Sequence, residues 1–258
     1  MATIERLRIY PVKGFDGIEL ETSTVTPGGT VVGDREFALF DTDGEVMNGK
    51  RTACIHDLST EYNPATGELA VETPAGEYRE FALRDEDERA RASTWFSDFF
   101  DVELSLERDK ELGFVDRREM GPSVISTATL EEVASWFEEM TVHGARRRLR
   151  ANVEVSGVPA FWEDRFVGEE APAFDVDGVR FEGVTPCGRC VVPERHPDTG
   201  EPIGEFKETF LEKREETFPE WADWEAFDHY FTVMLIASIP EQFRDGKLAV
   251  GDAVTVTE

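Results

Sequence analysis

Thr185-Pro-Cys-Gly-Arg-Cys-Val-Val-Pro-Glu-Arg-His-Pro-Asp-Thr-Gly200 holds two of the three cysteines in a chain of 258 residues. Its Cys187-x-x-Cys190 spacing admits several chemistries. A thioredoxin-like redox pair places its first thiol at a helix N-terminus, and Pro193 and Pro197 oppose a helix at this point. Half of a zinc site would use Cys187, Cys190 and His196, and a closed tetrahedral site then needs a fourth ligand from elsewhere. Two buried small side chains at a strand end need no ligand at all. A fourth arrangement uses one thiolate to coordinate a soft metal already carried by a cofactor.

Working outward, the segment is entered by a strand, Gly178-Val-Arg-Phe-Glu-Gly-Val, and followed by an acidic, aromatic stretch from Ile203 to Trp224 that reads as one or two short helices. Further strands are expected at Arg150 to Ser156, Tyr230 to Ala237 and Ala249 to Val256, all rich in β-branched residues. Toward the N-terminus, Ile4 to Tyr10, Phe37 to Phe40, Glu68 to Thr73 and Tyr78 to Leu83 are extended, with Asp43-Gly44 and Ala75-Gly76 as turns between strands. Ala92, Trp95, Phe96 and Phe99 recur at helical spacing, which predicts an amphipathic helix over Glu86 to Phe100 behind an acidic first turn. A second helix is expected from Thr129, with Leu130, Val133, Phe137 and Met140 on one face. No strand-helix alternation of the βαβ kind is evident. The fold class is therefore α+β, mostly β, with barrel-like sheets. The least apolar crossing, Arg108 to Gly121, divides the chain into 1–115 and 116–258.

Composition restricts the function. The 55 acidic and 27 basic side chains leave a formal charge of −28, and an apolar content of 40% is too high for disorder. Such a surface repels phosphate backbones and anionic lipid, so neither a nucleic acid nor a membrane is an expected partner. Six Lys against 21 Arg among so many carboxylates suggest adaptation to high salt, where screening shortens self-repulsion. Charges at Glu5, Arg6 and Arg8 interrupt any secretory leader, and three scattered cysteines suit a reducing cytoplasm.

Against that background the cations matter. Arg146, Arg147, Arg148 and Arg150 crowd together ahead of a strand. Arg146 and Arg147 are expected to meet the chain's own carboxylates. Arg150 is expected to alternate with Asn152 on one strand face, and Arg189 adjoins Cys190. Guanidinium forks and an amide suit a phosphate or the polar edge of a heterocycle. Lys13 in Tyr10-Pro-Val-Lys-Gly and Arg35 in Gly33-Asp-Arg-Glu-Phe lie at strand ends and could converge on the same anion.

Taken in order, these segments resemble the MOSC family, the molybdenum-cofactor sulfurase C-terminal domain with its β-rich N-terminal partner. The resemblance spans nearly the whole chain. It rests on Tyr10-Pro-Val-Lys, Gly29-Thr-Val-Val-Gly-Asp-Arg, Asp41-Thr-Asp-Gly, Arg150-Ala-Asn-Val-Glu-Val-Ser-Gly, Phe161-Trp-Glu-Asp and Pro186-Cys-Gly-Arg-Cys with Pro197-Asp-Thr-Gly. It implies a MOSC β-barrel over 116–258 and the family's N-terminal domain over 1–115. It also implies kinship with amidoxime-reducing molybdenum proteins. In that case Cys190 is the molybdenum ligand and catalytic centre, and Lys13, Arg35, Arg150, Asn152, Gly188 and Arg189 contact the molybdenum cofactor, a Mo-pyranopterin. The implied chemistry is oxo transfer from a small N-hydroxylated or N-oxide substrate, with electrons from a separate donor protein. Three cysteines cannot also hold an all-cysteine iron-sulfur cluster. The alternatives are a carrier that delivers the cofactor or a persulfide to a partner enzyme, and, last, a structural zinc protein.

The chain also departs from the family pattern. Gly14 and Gly188 replace serines, which leaves backbone N–H groups for any contact there. His196 replaces an aspartate, Arg51 is a loose analogue of the family's arginine that could face substrate, and the loop from Arg118 diverges. Cys187 is assigned a structural role.

Overall fold

The computed structural model describes residues 1–116 and 119–257, so Arg117, Arg118 and Glu258 lie outside it and the divergent loop is described only from Glu119. The first strand, β1 (Thr3–Ile9), buries Ile4, Leu7 and Ile9 and pairs antiparallel with β2 (Ile18–Leu20). On its other side it pairs with β10 (Val153–Ser156), which runs parallel to β9 (Ser123–Ser126). The sheet continues antiparallel through β13 (Thr232–Ser238), β12 (Val179–Gly188), β11 (Ala173–Val176) and β15 (Val254–Thr257). Backbone bonds from Ile4 N–H to Asp252 O and from Val254 N–H to Ala2 O, each 2.9 Å, join its far end to β1 and close a barrel. Trp162, Phe166, Phe174 and Phe181 pack against one another inside it, edge-on between Trp162 and Phe166 and stacked between Phe174 and Phe181.

A second core lies beside the barrel. There β4 (Phe37–Asp41) pairs with β8 (Leu104–Arg108), and β5 (Ser59–Asn63), β6 (Glu68–Glu72) and β7 (Tyr78–Ala82) form a meander. Helix α1 (Glu86–Phe100) covers them, as its periodicity requires, with Asp85 capping Glu88 N–H and Ala92 and Phe96 fully buried. Sheet membership does not follow the 1–115 division, because β1 and β2 are barrel strands and β3 (Thr22–Thr24) pairs with β14 (Lys247–Ala249).

Three expectations need correction. The parallel β9/β10 pair is one βαβ unit, and its crossover uses α2 (Thr127–Ser135) and α3 (Val142–Leu149). Consequently Arg146, Arg147 and Arg148 form the last turn of α3, where the helix dipole favours cations. Arg150 is not on a strand: it ends α3 in the left-handed region at φ 61°, and β10 begins at Val153. The third is the second helix, which starts at Thr127 with Ser126 as its cap and ends before Phe137. Among the described residues no helix is long and apolar enough to cross a membrane.

Helix α4 (Phe206–Glu216) presents Phe206, Phe210 and Arg214 to the interior. The fully buried Arg214 bonds Asp164 and donates Nε–H to Thr232 O at 3.2 Å, between the rings of Phe161 and Phe218. The adjacent Glu163 accepts from Ser126 N–H at 3.2 Å, while its Oε1 is buried without a partner. Burial, reinforced by Asp164, pushes Glu163 from its ordinary 4.5 up to about 7. A carboxyl raised this way favours the fold fully below pH 4.5, and the contribution is lost as pH rises through about 7. Glu163→Gln should therefore gain on wild type as pH rises from 5 to 8, by up to about 3 kcal/mol. Denaturant unfolding at fixed high salt measures the difference, and parallel pH profiles would contradict it.

Candidate functional site

A cavity of about 460 Å³ is lined by Phe15, Ile55 and Leu58 of the second core and by Leu149, Cys187 and Met234 of a third apolar cluster built with α2 and α4. Eight Lys or Arg side chains and three aspartates line it among the described residues, the reverse of the whole chain's balance. Lys13, Arg35, Arg150, Asn152, Gly188, Arg189 and Cys190 all face this one space, together with Cys187.

The N-terminal cations arrive there through backbone pairing. Val12 bridges Phe37 in parallel, and Arg35 N–H donates to Tyr10 O at 2.9 Å, which brings Lys13 and Arg35 side by side. Tyr10 is buried beneath two guanidinium groups, a cation–π arrangement. Arg150 lies 4.0 Å and Arg35 5.3 Å from its ring centroid. Both arginines have positive φ, 52° for Arg35 and 61° for Arg150. For a residue with a Cβ, that conformation costs about 1–2 kcal/mol. Burial raises the Tyr10 hydroxyl pKa against the pull of Arg150. At Arg35 burial is outweighed by Asp34 and the pKa rises, whereas at Arg150 burial wins and the pKa falls. Arg150 donates to Phe15 O at 2.7 Å and has no carboxylate within ion-pair distance among the described residues, so it is a half-buried cation short of an anion. Lys13 is held by Asp116 at 2.7 Å.

The cysteine segment follows from β12. Gly183 packs against the backbone so closely that a Cβ there would lie 1.6 Å from Phe166 O. Bulges flank Thr185 and Pro186, where a strand tolerates proline. Gly188 is the opposite case, since a Cβ on it would meet nothing nearer than His229 Cε1 at 3.8 Å. The missing side chain leaves room for a ligand. Arg189 N–H donates to Phe231 O at 2.9 Å, and its guanidinium reaches Cys187 Sγ at 3.3 Å and Leu149 O at 3.2 Å. Arg189 Nε is buried without a partner. Cys190 is half-buried, and the chain then enters a short 3-10 turn, Val192–Glu194, so neither thiol begins an α-helix.

Asn152 is engaged structurally: Oδ1 accepts from Ser123 N–H and Oγ, and Nδ2 donates to Arg8 O at 3.1 Å, leaving one amide N–H. Arg146 pairs with Glu154, and Arg147 with Asp16 and Asp198, so their partners are the chain's own carboxylates. Arg51 lies outside the cavity on Asp41 at 2.5 Å, and His196 also lies outside it. Among the described residues no group of three or more His, Cys, Asp or Glu could hold a metal ion, so Cys187, Cys190 and His196 do not assemble a zinc site.

Residues 1–142 match the MOSC N-terminal beta barrel domain, and residues 118–255 match the MOSC domain. The chain belongs to the MOSC family. This MOSC chain is 23% identical to mitochondrial amidoxime reducing component 2 of Bos taurus over 78% of its own length and 68% of that protein. It also aligns with the YUAD protein of Bacillus subtilis at 15% identity, covering 99% of this chain and 94% of that one with a TM-score of 0.43.

Tyr10, His56, His229 and Arg195 also line or floor the MOSC cavity, and sequence reasoning did not place them there. Tyr10 had a signal, since it opens the motif that carries Lys13. His56 and His229 had none. His56 Nε2 is buried without a partner, and burial, aided by Arg150 and Arg195, lowers its pKa and keeps it neutral near pH 7.

Proposed function

We propose that this MOSC chain holds a molybdenum cofactor in the cation-lined cavity, with Cys190 as metal ligand, and reduces N-hydroxylated or N-oxide substrates. The observation that carries this reading is a free thiol beside half-buried guanidinium groups, Arg150 and Arg189 among them without a carboxylate partner among the described residues, in a chain that is otherwise strongly anionic. The orphaned Nε of Arg189 and the open space over Gly188 fit a ligand that is both anionic and bulky. A molybdenum centre bound there would supply two-electron oxo transfer.

The chain's own residues bind and orient. Arg35, Arg150 and Lys13 supply charge for a phosphate, Arg189 and the Gly188 backbone supply donors, and Asn152 offers its remaining N–H to a pterin edge. Tyr10 fixes both stacked guanidinium groups and excludes water beneath them. Cleavage of an N–O bond to release water takes up two protons with the two electrons. His229, exposed at the mouth across from Gly188, is the side chain we assign to pass protons from solvent. Electrons come from a separate donor protein.

The test is expression in a host that makes the cofactor, followed by metal analysis and reduction of benzamidoxime with an artificial electron donor. Stoichiometric molybdenum and turnover are expected. A loaded protein inert toward every N-hydroxylated and N-oxide compound tried would remove the reductase reading. A reductant-labile persulfide on the intact chain, confined to Cys190, would favour a carrier instead.

A further inference from the structure

We propose that Arg195 and Lys50 form the substrate end of the cavity and select N-hydroxylated compounds bearing a carboxylate on an apolar body. This rests on the reductase reading above. Four cations of the lining lie outside the set assigned to the cofactor, and two of these already donate to protein acceptors. Arg147 is held by Asp16 and Asp198, and Arg148 donates Nη1 to the carbonyls of Pro193 and Arg195, although its buried Nε has no partner among the described residues. Arg195 differs. Its guanidinium donates no hydrogen bond among the described residues, its Nε is buried, and no carboxylate there lies within ion-pair distance of it. Lys50 comes no closer than 4.0 Å to Asp116, a carboxylate that already accepts from Lys13 at 2.7 Å.

Local structure brings the loop that carries Lys50 against the turn that carries Arg195. Arg195 N–H donates to Val192 O at 3.1 Å, which fixes Arg195 on the turn directly after Cys190. Lys50 follows Gly49, whose missing Cβ lets its loop approach His56 and Val192: a Cβ would lie 3.1 Å from His56 Nε2 and 3.4 Å from Val192 Cγ2. Val192, Ile55 and Leu58 give this end an apolar wall, and His56 is held neutral there by burial and by Arg195. An apolar wall with an unpaired guanidinium and a lysine at its rim suits an aromatic or aliphatic body that ends in an anion.

The experiment uses molybdenum-loaded protein with benzamidoxime, 4-carboxybenzamidoxime and a 4-trimethylammonio analogue, and measures both turnover and calorimetric binding. The carboxylated compound should have kcat/KM at least about ten-fold above the neutral one, with the cationic analogue poorest. That preference should shrink as salt rises. Arg195→Gln should cut the carboxylate-to-neutral ratio about ten-fold, and Lys50→Gln, on an exposed loop, should cut it by less. A wild-type ratio near or below one, an unchanged ratio in both variants, or loss of molybdenum from Arg195→Gln would overturn the proposal. Turnover without selectivity removes the anion site and leaves the reductase reading. Selective binding of the carboxylate without turnover of any compound does the reverse.

Discussion

Cys190→Ala is expected to purify folded, without stoichiometric molybdenum, and with at least a thousand-fold less benzamidoxime reduction, a loss of about 4 kcal/mol or more in transition-state stabilisation. Cys187→Ala, in the same cavity wall, should keep both metal and activity. The contrast follows from the partners of each sulfur. Cys187 Sγ is engaged by Arg189 at 3.3 Å, and Cys187 packs on the core under α2 and α4, whereas Cys190 has no hydrogen-bond partner among the described residues and faces the cavity. A soft thiolate without a protein partner is what a molybdenum ligand requires. Elemental analysis together with circular dichroism decides the outcome. If Cys187→Ala lost the metal and Cys190→Ala kept it, the ligand assignment would be reversed.

Arg214→Met should destabilise the protein by about 3–5 kcal/mol at pH 8, because it leaves Asp164 buried without its counter-charge. Arg214 is fully buried and the Asp164 side chain is 3% exposed, so solvent cannot replace the lost partner. Burial, opposed by Arg214, holds the Asp164 pKa at about 6. The penalty should therefore shrink toward pH 5, where Asp164 takes up a proton and no unpaired charge remains. Replacing both residues with apolar side chains of similar volume should recover much of the loss. The same variant should weaken the site. Arg214 Nε holds Thr232 O at 3.2 Å, Thr232 pairs with Gly188, and the neighbouring Phe231 O accepts the Arg189 N–H. Molybdenum content per folded chain should fall in Arg214→Met even at low temperature, where the fold persists. Unchanged content would make the pair purely structural.

Some of this was legible in the sequence. Helix α1, the β6/β7 hairpin around Gly76 and the strand leading into Cys187 are set by local periodicity and turn chemistry, which act within a few residues and are written in the order of side chains. The family motifs named Lys13, Arg35, Arg150, Asn152, Gly188, Arg189 and Cys190, and the fold brings all seven to one cavity. The charge of −28 made the few clustered cations stand out.

Other features depend on contacts between residues far apart in the chain. The crossover between parallel β9 and β10 turns Arg150 from a strand position into a left-handed helix cap, and that conformation aims its guanidinium at Tyr10. Barrel closure through Asp252 and Ala2, the burial of Arg214 on Asp164, and the unpaired state of Arg195 likewise have no local signature. Composition and motif order determined the family and the candidate ligand set. Which cations are already neutralised and which remain available is a sum over neighbours from every segment, so only the tertiary structure could decide it.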